Sequence, residues 1–250
     1  MRAIATGLGG TVAPALAAEL RTRGHEIVRW DRASDPPSTE EAVRTFIDRH
    51  KPRWVCHVAT GAPEWAEWIA RHCAARGISL LWTGSVSVYA DGTVGPPGGW
   101  TVQMPPTATD DYGKYKAACE GLVLTAHPGA IAARIGWQIG REPGSNTMTN
   151  YLSKLATEHG GTVTVSRGWV PSCAMLEDTA RALADLMGRG EPGLFHLEGN
   201  TRGLSLFDIA TGLNAKQGRG WRVEPTEAPI RDNRMRDDRA RMGQVADALR

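Results

Sequence analysis

The chain has 250 residues, room for one large domain or two small ones, and balances 29 Lys and Arg against 27 Asp and Glu. A net charge of +2 with 41% hydrophobic and 22% charged residues excludes a basic nucleic-acid binder, a disordered chain and a coiled coil, and describes a globule with a core. Aromatic use is skewed, with nine Trp against four Tyr and three Phe.

Strand-sized apolar runs alternate with helical patterns along the first half. Arg2–Thr6 reads as a strand, Val12–Thr22 as a helix ending near Gly24, and Glu26–Trp30 as a second strand. Thr39 caps a predicted helix running to about His50, and Arg53–Val58 follows as a third strand. Glu64–Arg76 is a predicted helix closed by Gly77, and Ile78–Thr83 a fourth strand. The strands are apolar throughout rather than alternating, which predicts a parallel sheet covered on both faces, an α/β doubly wound fold.

Residues 91–110 are rich in Gly, Pro and Thr and read as a loop. A helix is predicted from Asp111 to about Thr125 and a strand at Ala130–Ile135. Further helices are expected near Thr147–His159 and Leu176–Met187, with strands at Thr162–Val165 and Leu194–Leu197. Residues 218–250 carry eight Arg against six carboxylates and are expected to hold a solvated amphipathic helix near the end. The domain reading is a Rossmann-like unit over 1–135, with 160–190 contributing, and a smaller discontinuous substrate lobe from 136–160 and 191–250.

Cys56, Cys73, Cys119 and Cys173 form no CxxC pair, and the seven His show no metal-ligand spacing, so reduced thiols and no metal are expected. The opening MRAIATGLGG lacks the apolar stretch of a secretory leader, and no run is long enough to span a bilayer. The expectation is a cytoplasmic protein without membrane or nucleic-acid partners.

The first strand runs into Thr6-Gly7-Leu8-Gly9-Gly10-Thr11-Val12-Ala13. Glycines at a strand-to-helix turn let backbone approach a pyrophosphate, and the helix N-terminus offers N–H groups and a positive dipole. Asp31, 24 residues after Gly7 at the end of the second strand, is placed to bind ribose hydroxyls. Its carboxylate favours NAD by repelling a 2′-phosphate, whereas the neighbouring Arg32 favours NADP; the reading sets the balance toward NAD.

Tyr112 and Lys116 stand four apart on a predicted helix and so share a face. A tyrosine titrating near pH 10 needs a neighbouring cation to act as an acid–base group at neutral pH. Ser85 follows the fourth strand, at the end of the sheet where ligands of open α/β sheets sit, and is able to hydrogen-bond a carbonyl oxygen together with Tyr112. A Tyr–Lys pair or a serine alone arises by chance; the order of glycine loop, acidic strand end, serine and YxxxK is far more specific.

These residues resemble the extended short-chain dehydrogenase/reductase superfamily, and among its branches the dTDP-4-dehydrorhamnose reductases. Tyr112-Gly113-Lys114-Tyr115-Lys116-Ala117-Ala118-Cys119-Glu120 matches YGxxKxxxE, and Arg134-Ile135-Gly136-Trp137 is similar to R-x-S-W. Gly144-Ser145-Asn146 resembles GNN, Pro171-Ser172 resembles P-T, and Gly193-Leu194-Phe195-His196-Leu197 resembles G-L-Y-H-L. The resemblance implies Ser85, Tyr112 and Lys116 as catalytic residues in carbonyl–alcohol redox on a small polar metabolite, with a nucleotide-linked keto-sugar as one candidate. It implies an NAD or NADP site made from Gly7, Gly9, Gly10, Thr11, Val12, Asp31, Arg32, Ala59, Thr60 and Lys116. It places Val86, Ser87, Trp137, Asn146 and Trp169 at the substrate; Arg141 and Arg167 read as solvated charges rather than as partners of an anionic substrate group. The sequence departs from the family at Val86, which replaces an acidic residue, and between Ala59 and Ser85, where a helix used by many relatives to dimerise is shortened; oligomerisation stays open. Two other readings are an epimerase or dehydratase of the same superfamily and a non-catalytic NAD(P)-binding regulator.

Overall fold

A computed structural model describes residues 1–90, 94–140 and 146–250. Its first half alternates β1 (Arg2–Ala5), α1 (Val12–Thr22), β2 (Glu26–Arg29), α2 (Glu40–His50), β3 (Trp54–His57), α3 (Pro63–Arg76) and β4 (Ser79–Ser85). A 3-10 turn, Val86–Val88, leads to the short β5 (Trp100–Thr101), then α4 (Asp111–Ala126), β6 (Ile131–Ile135), β7 (Trp137–Ile139) and α5 (Met148–Glu158). The remainder is β8 (Thr162–Ser166), β9 (Trp169–Val170), β10 (Cys173–Met175), α6 (Leu176–Arg189), β11 (Gly193–Leu197) and α7 (Leu206–Gln217). It ends with β12 (Arg222–Thr226), β13 (Arg231–Asp232), β14 (Met235–Arg236) and α8 (Val245–Ala248).

Six strands pair in parallel in the order β11-β6-β4-β3-β1-β2. The chain reverses its lateral direction between β1 and β3, so the loops leaving those two strands diverge and open a crevice at the C-terminal edge. Both faces of the sheet are covered. Ala3, Cys56, Leu81, Ile131 and Phe195 point into a core closed by α1 and α6. Ile4, Val55, Leu80, Trp82 and Ala132 point into the other, closed by α2, α3 and α4. This two-sided burial is the physical reason the strands lack polar alternation.

The helix boundaries follow local chemistry. Thr39 Oγ1 accepts from Ala42 N at 3.1 Å to cap α2, Pro63 starts α3, and Gly77 at φ 63° ends it. Four tryptophans serve the sheet's packing: Trp30, Trp54, Trp65 and Trp82 are buried. Trp30 stacks on Phe46 at 4.2 Å and meets the edge of Trp65 at 5.5 Å.

Three expectations change. Gly193–Leu197, assigned to the substrate lobe, is the edge strand beside β6, because its buried Phe195 and Leu197 belong to the core under α6. Residues 162–166, expected to extend the main sheet, pair instead with β12 and line a separate core with α5, α7 and α8. The arginine-rich end is largely irregular chain with three short strands that pair with β8, β9 and β5, and its final helix spans only Val245–Ala248. Many of its arginines bond to nearby carboxylates, Arg234 to Asp232 and Arg239 to Asp237 among them, so the charge run is solvated ion pairing.

All four cysteines are free and buried. Burial pushes the Cys56 and Cys73 thiols up to about 12, which leaves both protonated and unreactive. Among the described residues no helix is long and apolar enough to cross a membrane, and no group of three or more His, Cys, Asp or Glu is placed to hold a metal ion.

Candidate active site

The crevice begins at the glycine loop. Gly7 adopts φ +78°, and a Cβ there would stand 3.0 Å from Ala59 N, so only glycine fits. Gly10 N donates to Gly7 O at 2.8 Å to close the turn, and a Cβ at Gly9 would meet nothing within 4 Å. Thr11 opens α1 without a side-chain cap. The result is a glycine backbone facing open space at a helix N-terminus, which fits a dinucleotide pyrophosphate by shape and by dipole.

The loop after β3 is locked to this cradle through Thr6. Its hydroxyl accepts from Val58 N and Ala59 N, each at 3.0 Å, and therefore gives its proton to His57 Nδ1 at 3.0 Å. Gly61 N in turn donates to the Tyr115 hydroxyl at 3.0 Å, which ties the same loop to α4.

Asp31 and Arg32 separate in space. Asp31 Oδ1 accepts from Ala33 N at 3.1 Å, closing its own turn, and the residue is not part of the crevice wall. Arg32 is in the wall: Nη1 donates to Thr60 O at 3.0 Å and the guanidinium lies 5.6 Å from the Trp65 ring centre.

Ser85 ends β4, where its Oγ accepts from Ser87 N at 3.1 Å and caps the 3-10 turn. Asp110 caps α4 through Gly113 N at 2.8 Å. A Cβ at Gly113 would overlap Ser87 O and stand 2.5 Å from Ala108 Cβ, so glycine at this position lets the first turn of α4 press against the Ser85 turn. Tyr112 thereby comes beside the Ser85 hydroxyl. Burial raises the Tyr112 phenol above its ordinary value and the Ser85 contact opposes that rise, so the group is a protonated donor at neutral pH. Lys116, one turn on, is buried; Nζ donates to Thr83 O at 3.0 Å and sits 5.2 Å from the Trp82 ring centre. Burial lowers its ammonium to about 8.

One cavity of about 680 Å³ joins these parts. Its wall contains Gly7, Gly9, Gly10, Thr11, Val12, Arg32, Ala59, Thr60, Ser85, Val86, Ser87, Tyr112, Lys116, Trp137, Asn146 and Trp169. Of the residues singled out in the sequence as the site, Asp31 alone stands outside it. Trp137 and Trp169 stack at 6.0 Å with 24° between their planes, Tyr151 packs on Trp137 at 5.2 Å, and the Arg231 guanidinium lies 5.2 Å from the Trp169 centre. Arg167 covers Phe207, away from the cavity. Arg141, Gly144 and Ser145 lie outside the described residues.

Sequence reasoning missed Tyr89, Gln138, Ser172 and Asn233, which also line the cavity. Tyr89 was within reach, since it ends the stretch that starts at Ser85; the other three are brought in by the lobe. Tyr89 belongs to a buried network in which Arg134 bonds bidentately to Glu120, with Nε to Oε2 at 2.8 Å and Nη2 to Oε1 at 2.6 Å. Arg134 Nη1 also donates to the Tyr89 hydroxyl and, at 3.2 Å, to His196 Nε2. With Nε2 accepting, His196 carries its proton on Nδ1 and donates it to Trp100 O at 3.0 Å.

These buried groups set an acid limit on stability. Burial lowers His57 to about 3, and burial with the Arg134 charge lowers His196 to about 4, so both stay neutral in the fold while the unfolded chain takes up protons near 6.5. Each therefore costs stability as the pH falls below 6.5. Glu198 acts oppositely between 7 and 4.5, because burial raises it to about 7 and the fold binds that proton first. Two protons against one leave a net loss of roughly 1.4 kcal/mol per pH unit. The urea midpoint is expected to drop between pH 6.5 and 4.5; a midpoint that rose toward acid would show that neither histidine is held neutral.

A scan against protein families matches residues 62–242 to the RmlD substrate binding domain. The chain belongs to that family. A curated relative, the dTDP-4-dehydrorhamnose reductase of Mycolicibacterium smegmatis, is 28% identical over 224 residues, covering 84% of this chain and 67% of the relative. Among solved structures, dTDP-4-dehydrorhamnose reductase from Bacillus anthracis in complex with NADP superposes with a TM-score of 0.84 at 18% identity, over 99% of this chain and 96% of that one. A Bordetella bronchiseptica enzyme in complex with NAD+ gives 0.79 at 12% identity, over 99% and 95%. The α/β fold and the extended short-chain dehydrogenase/reductase resemblance read in the sequence both hold.

Proposed function

We propose that the chain is an NAD(P)H-dependent reductase of a nucleotide-linked keto-sugar, of the kind its curated relative's name describes, dTDP-4-dehydrorhamnose. One observation carries the reading: Ser85, Tyr112 and Lys116 converge on a cavity that also holds the glycine cradle. A nicotinamide cofactor would supply hydride. Gly7, Gly9 and Gly10 would hold its pyrophosphate, and Lys116 its ribose. Ser85 donates a hydrogen bond to the substrate carbonyl and fixes it beside Tyr112. Tyr112 would give its proton to the carbonyl oxygen, and the Lys116 ammonium would stabilise the phenolate left behind. The Trp137–Trp169 stack offers a flat apolar surface to the substrate. The test is consumption of NADPH or NADH with dTDP-4-dehydrorhamnose. The reading expects turnover; cofactor binding without turnover of any keto-sugar nucleotide would leave a binding protein.

The positions of Asp31 and Arg32 support NADP over the NAD balance read from sequence. With the Asp31 carboxylate engaged in its own turn and Arg32 at the crevice, a 2′-phosphate meets a guanidinium rather than a carboxylate. Arg32→Ala is expected to weaken NADPH binding about 10- to 100-fold, the worth of a charge-assisted hydrogen bond, and to leave NADH binding unchanged. Equal weakening of both cofactors in a titration of tryptophan fluorescence would remove Arg32 from this role.

A further inference from the structure

Glu198 is a buried carboxylate that the reaction described above does not use. It follows the last residue of β11 and is 4% exposed. Its partners are backbone N–H groups from three separate segments. Oε1 accepts from Cys173 N at 3.3 Å and from Asn200 N at 2.8 Å, and Oε2 accepts from Met235 N at 2.9 Å. No cation pairs with it among the described residues. Arg234, whose charge reaches it, is bonded instead to Asp232, with Nε to Oδ1 at 2.9 Å and Nη2 to Oδ2 at 2.7 Å. A buried carboxylate without a counter-ion is costly, yet an apolar residue here would strand the three N–H groups. The charge is thus tied to the position of the segments that carry them.

Those segments form the lobe side of the cavity. Cys173 directly follows Pro171 and Ser172, Met235 lies two residues after Asn233, and Pro171, Ser172 and Asn233 all line the cavity. The clamped segments are also bonded to one another. Ser172 N donates to Asn233 Oδ1 at 3.0 Å, and Asn200 Nδ2 donates to Pro171 O at 2.9 Å. Ser172 O accepts from Trp137 N at 2.8 Å, which carries the clamp to the Trp137–Trp169 stack. The glycine cradle is made from β1, α1 and the loop after β3, and none of the three Glu198 bonds goes there.

We propose that Glu198 is a positioning residue for the substrate: its ionised carboxylate holds Ser172 and Asn233 in the arrangement that receives the sugar nucleotide, without touching it. This rests on the reductase reading and extends it. Hydrogen bonds to an ionised acceptor are roughly twice as strong as neutral ones, so a proton on Glu198 weakens all three at once. Burial raises the carboxyl to about 7, with the three N–H groups opposing that rise. Its neighbours among the described residues ionise elsewhere. Burial pushes the Cys173 thiol far up; Asp232, despite burial, is lowered by Arg234, which Asp232 raises in turn. Burial lowers His196, two residues earlier, to about 4, and its ring turns to Arg134 and Trp100. Substrate affinity is therefore complete above pH 7 and falls as the pH drops through 7, by up to about 10-fold between pH 8 and 6. Lys116, lowered to about 8 by burial, loses its proton toward alkali and cannot produce a fall toward acid.

The experiment measures calorimetric binding of dTDP-rhamnose to the NADP+-loaded protein from pH 8 to 6, for wild type and Glu198→Gln. A second readout needs no sugar. Fluorine NMR of protein carrying fluorotryptophan follows Trp169, two residues before Pro171, over the same pH range, with its resonance assigned by its loss in Trp169→Phe. Wild type is expected to bind up to about 10-fold more weakly toward pH 6, and its Trp169 resonance to shift with a midpoint near 7. Glu198→Gln sets an amide NH2 where one carboxylate oxygen faced an N–H donor. It should bind the sugar about 10-fold more weakly at pH 8, keep its NADPH affinity and lose both pH effects. Sugar affinity constant from pH 8 to 6, or a Trp169 resonance that does not move, would overturn the proposal. Equal losses of sugar and NADPH affinity in Glu198→Gln would also overturn it and leave Glu198 a general prop of the fold. Wild type alone supplies both pH profiles, so a variant that fails to fold still leaves a deciding result. A Trp169 resonance that shifts in a protein binding no dTDP-rhamnose at any pH would keep the clamp and sink the reductase reading.

Discussion

Tyr112→Phe is expected to lower the rate of carbonyl reduction by about 10²- to 10⁴-fold, the usual contribution of a positioned general acid. The phenol hydroxyl lies beside Ser85 and is protonated at neutral pH. Phenylalanine keeps the ring against its neighbour Tyr115, whose centre is 6.4 Å away, and removes only the proton. Because the residue exposes 48% of its surface, the change should leave the thermal midpoint and the affinity for NADPH near those of the parent. The loss is thus expected in kcat with little change in cofactor binding. Retention of more than about a tenth of the activity would move proton donation to another group.

Arg134→Met carries the largest expected cost to stability. Arg134 is 1% exposed and Glu120 6%, and the bidentate pair joins β6 to α4, the helix that carries Tyr112 and Lys116. Removing the guanidinium leaves the Glu120 carboxylate buried without its counter-charge and deprives Tyr89 and His196 of a donor. Breaking a buried pair in this way costs about 3–5 kcal/mol. At roughly 2–4 °C per kcal/mol for a chain of this size, the thermal midpoint should fall by about 6–20 °C. The double variant Glu120→Met/Arg134→Met should recover much of that loss, since an apolar pair of similar volume carries no stranded charge. If the double variant were as unstable as the single one, the network around Tyr89 and His196, rather than the ion pair, would hold the stability.

Both expectations concern residues that short sequence motifs already mark. Tyr112, Lys116 and Glu120 lie on one helix, and Arg134 follows on the next strand of the sheet, so local spacing suffices to find them. Gly7 and Gly10 are legible for a related reason: the turn they make is set by a few consecutive residues, with Ala59 supplying the close approach.

What the sequence conceals depends on long-range contact. Asp31 and Arg32 are adjacent, and only the fold shows that one bonds its own turn while the other reaches Thr60 across the crevice. Gln138 falls in no predicted element, and only the fold shows its amide folding back on Gly136. The strands at Arg222–Thr226 and Arg231–Asp232 pair with Thr162–Ser166 and Trp169–Val170 about sixty positions earlier. They carry little apolar pattern of their own, because much of their surface faces solvent. The helix Leu206–Gln217 was legible and passed over: Ser205 and Asp208 form a capping box just before its apolar face.

The most direct measurement follows the hydride itself. NADPH deuterated on the transferred face of its nicotinamide C4 is incubated with the protein and dTDP-4-dehydrorhamnose, and the product sugar is read by mass spectrometry and NMR. The expected result is one deuterium on the former carbonyl carbon, formed by wild type and about 10²- to 10⁴-fold more slowly by Tyr112→Phe. A product without deuterium, or unchanged substrate from a protein that binds NADPH, would contradict hydride transfer at Ser85, Tyr112 and Lys116.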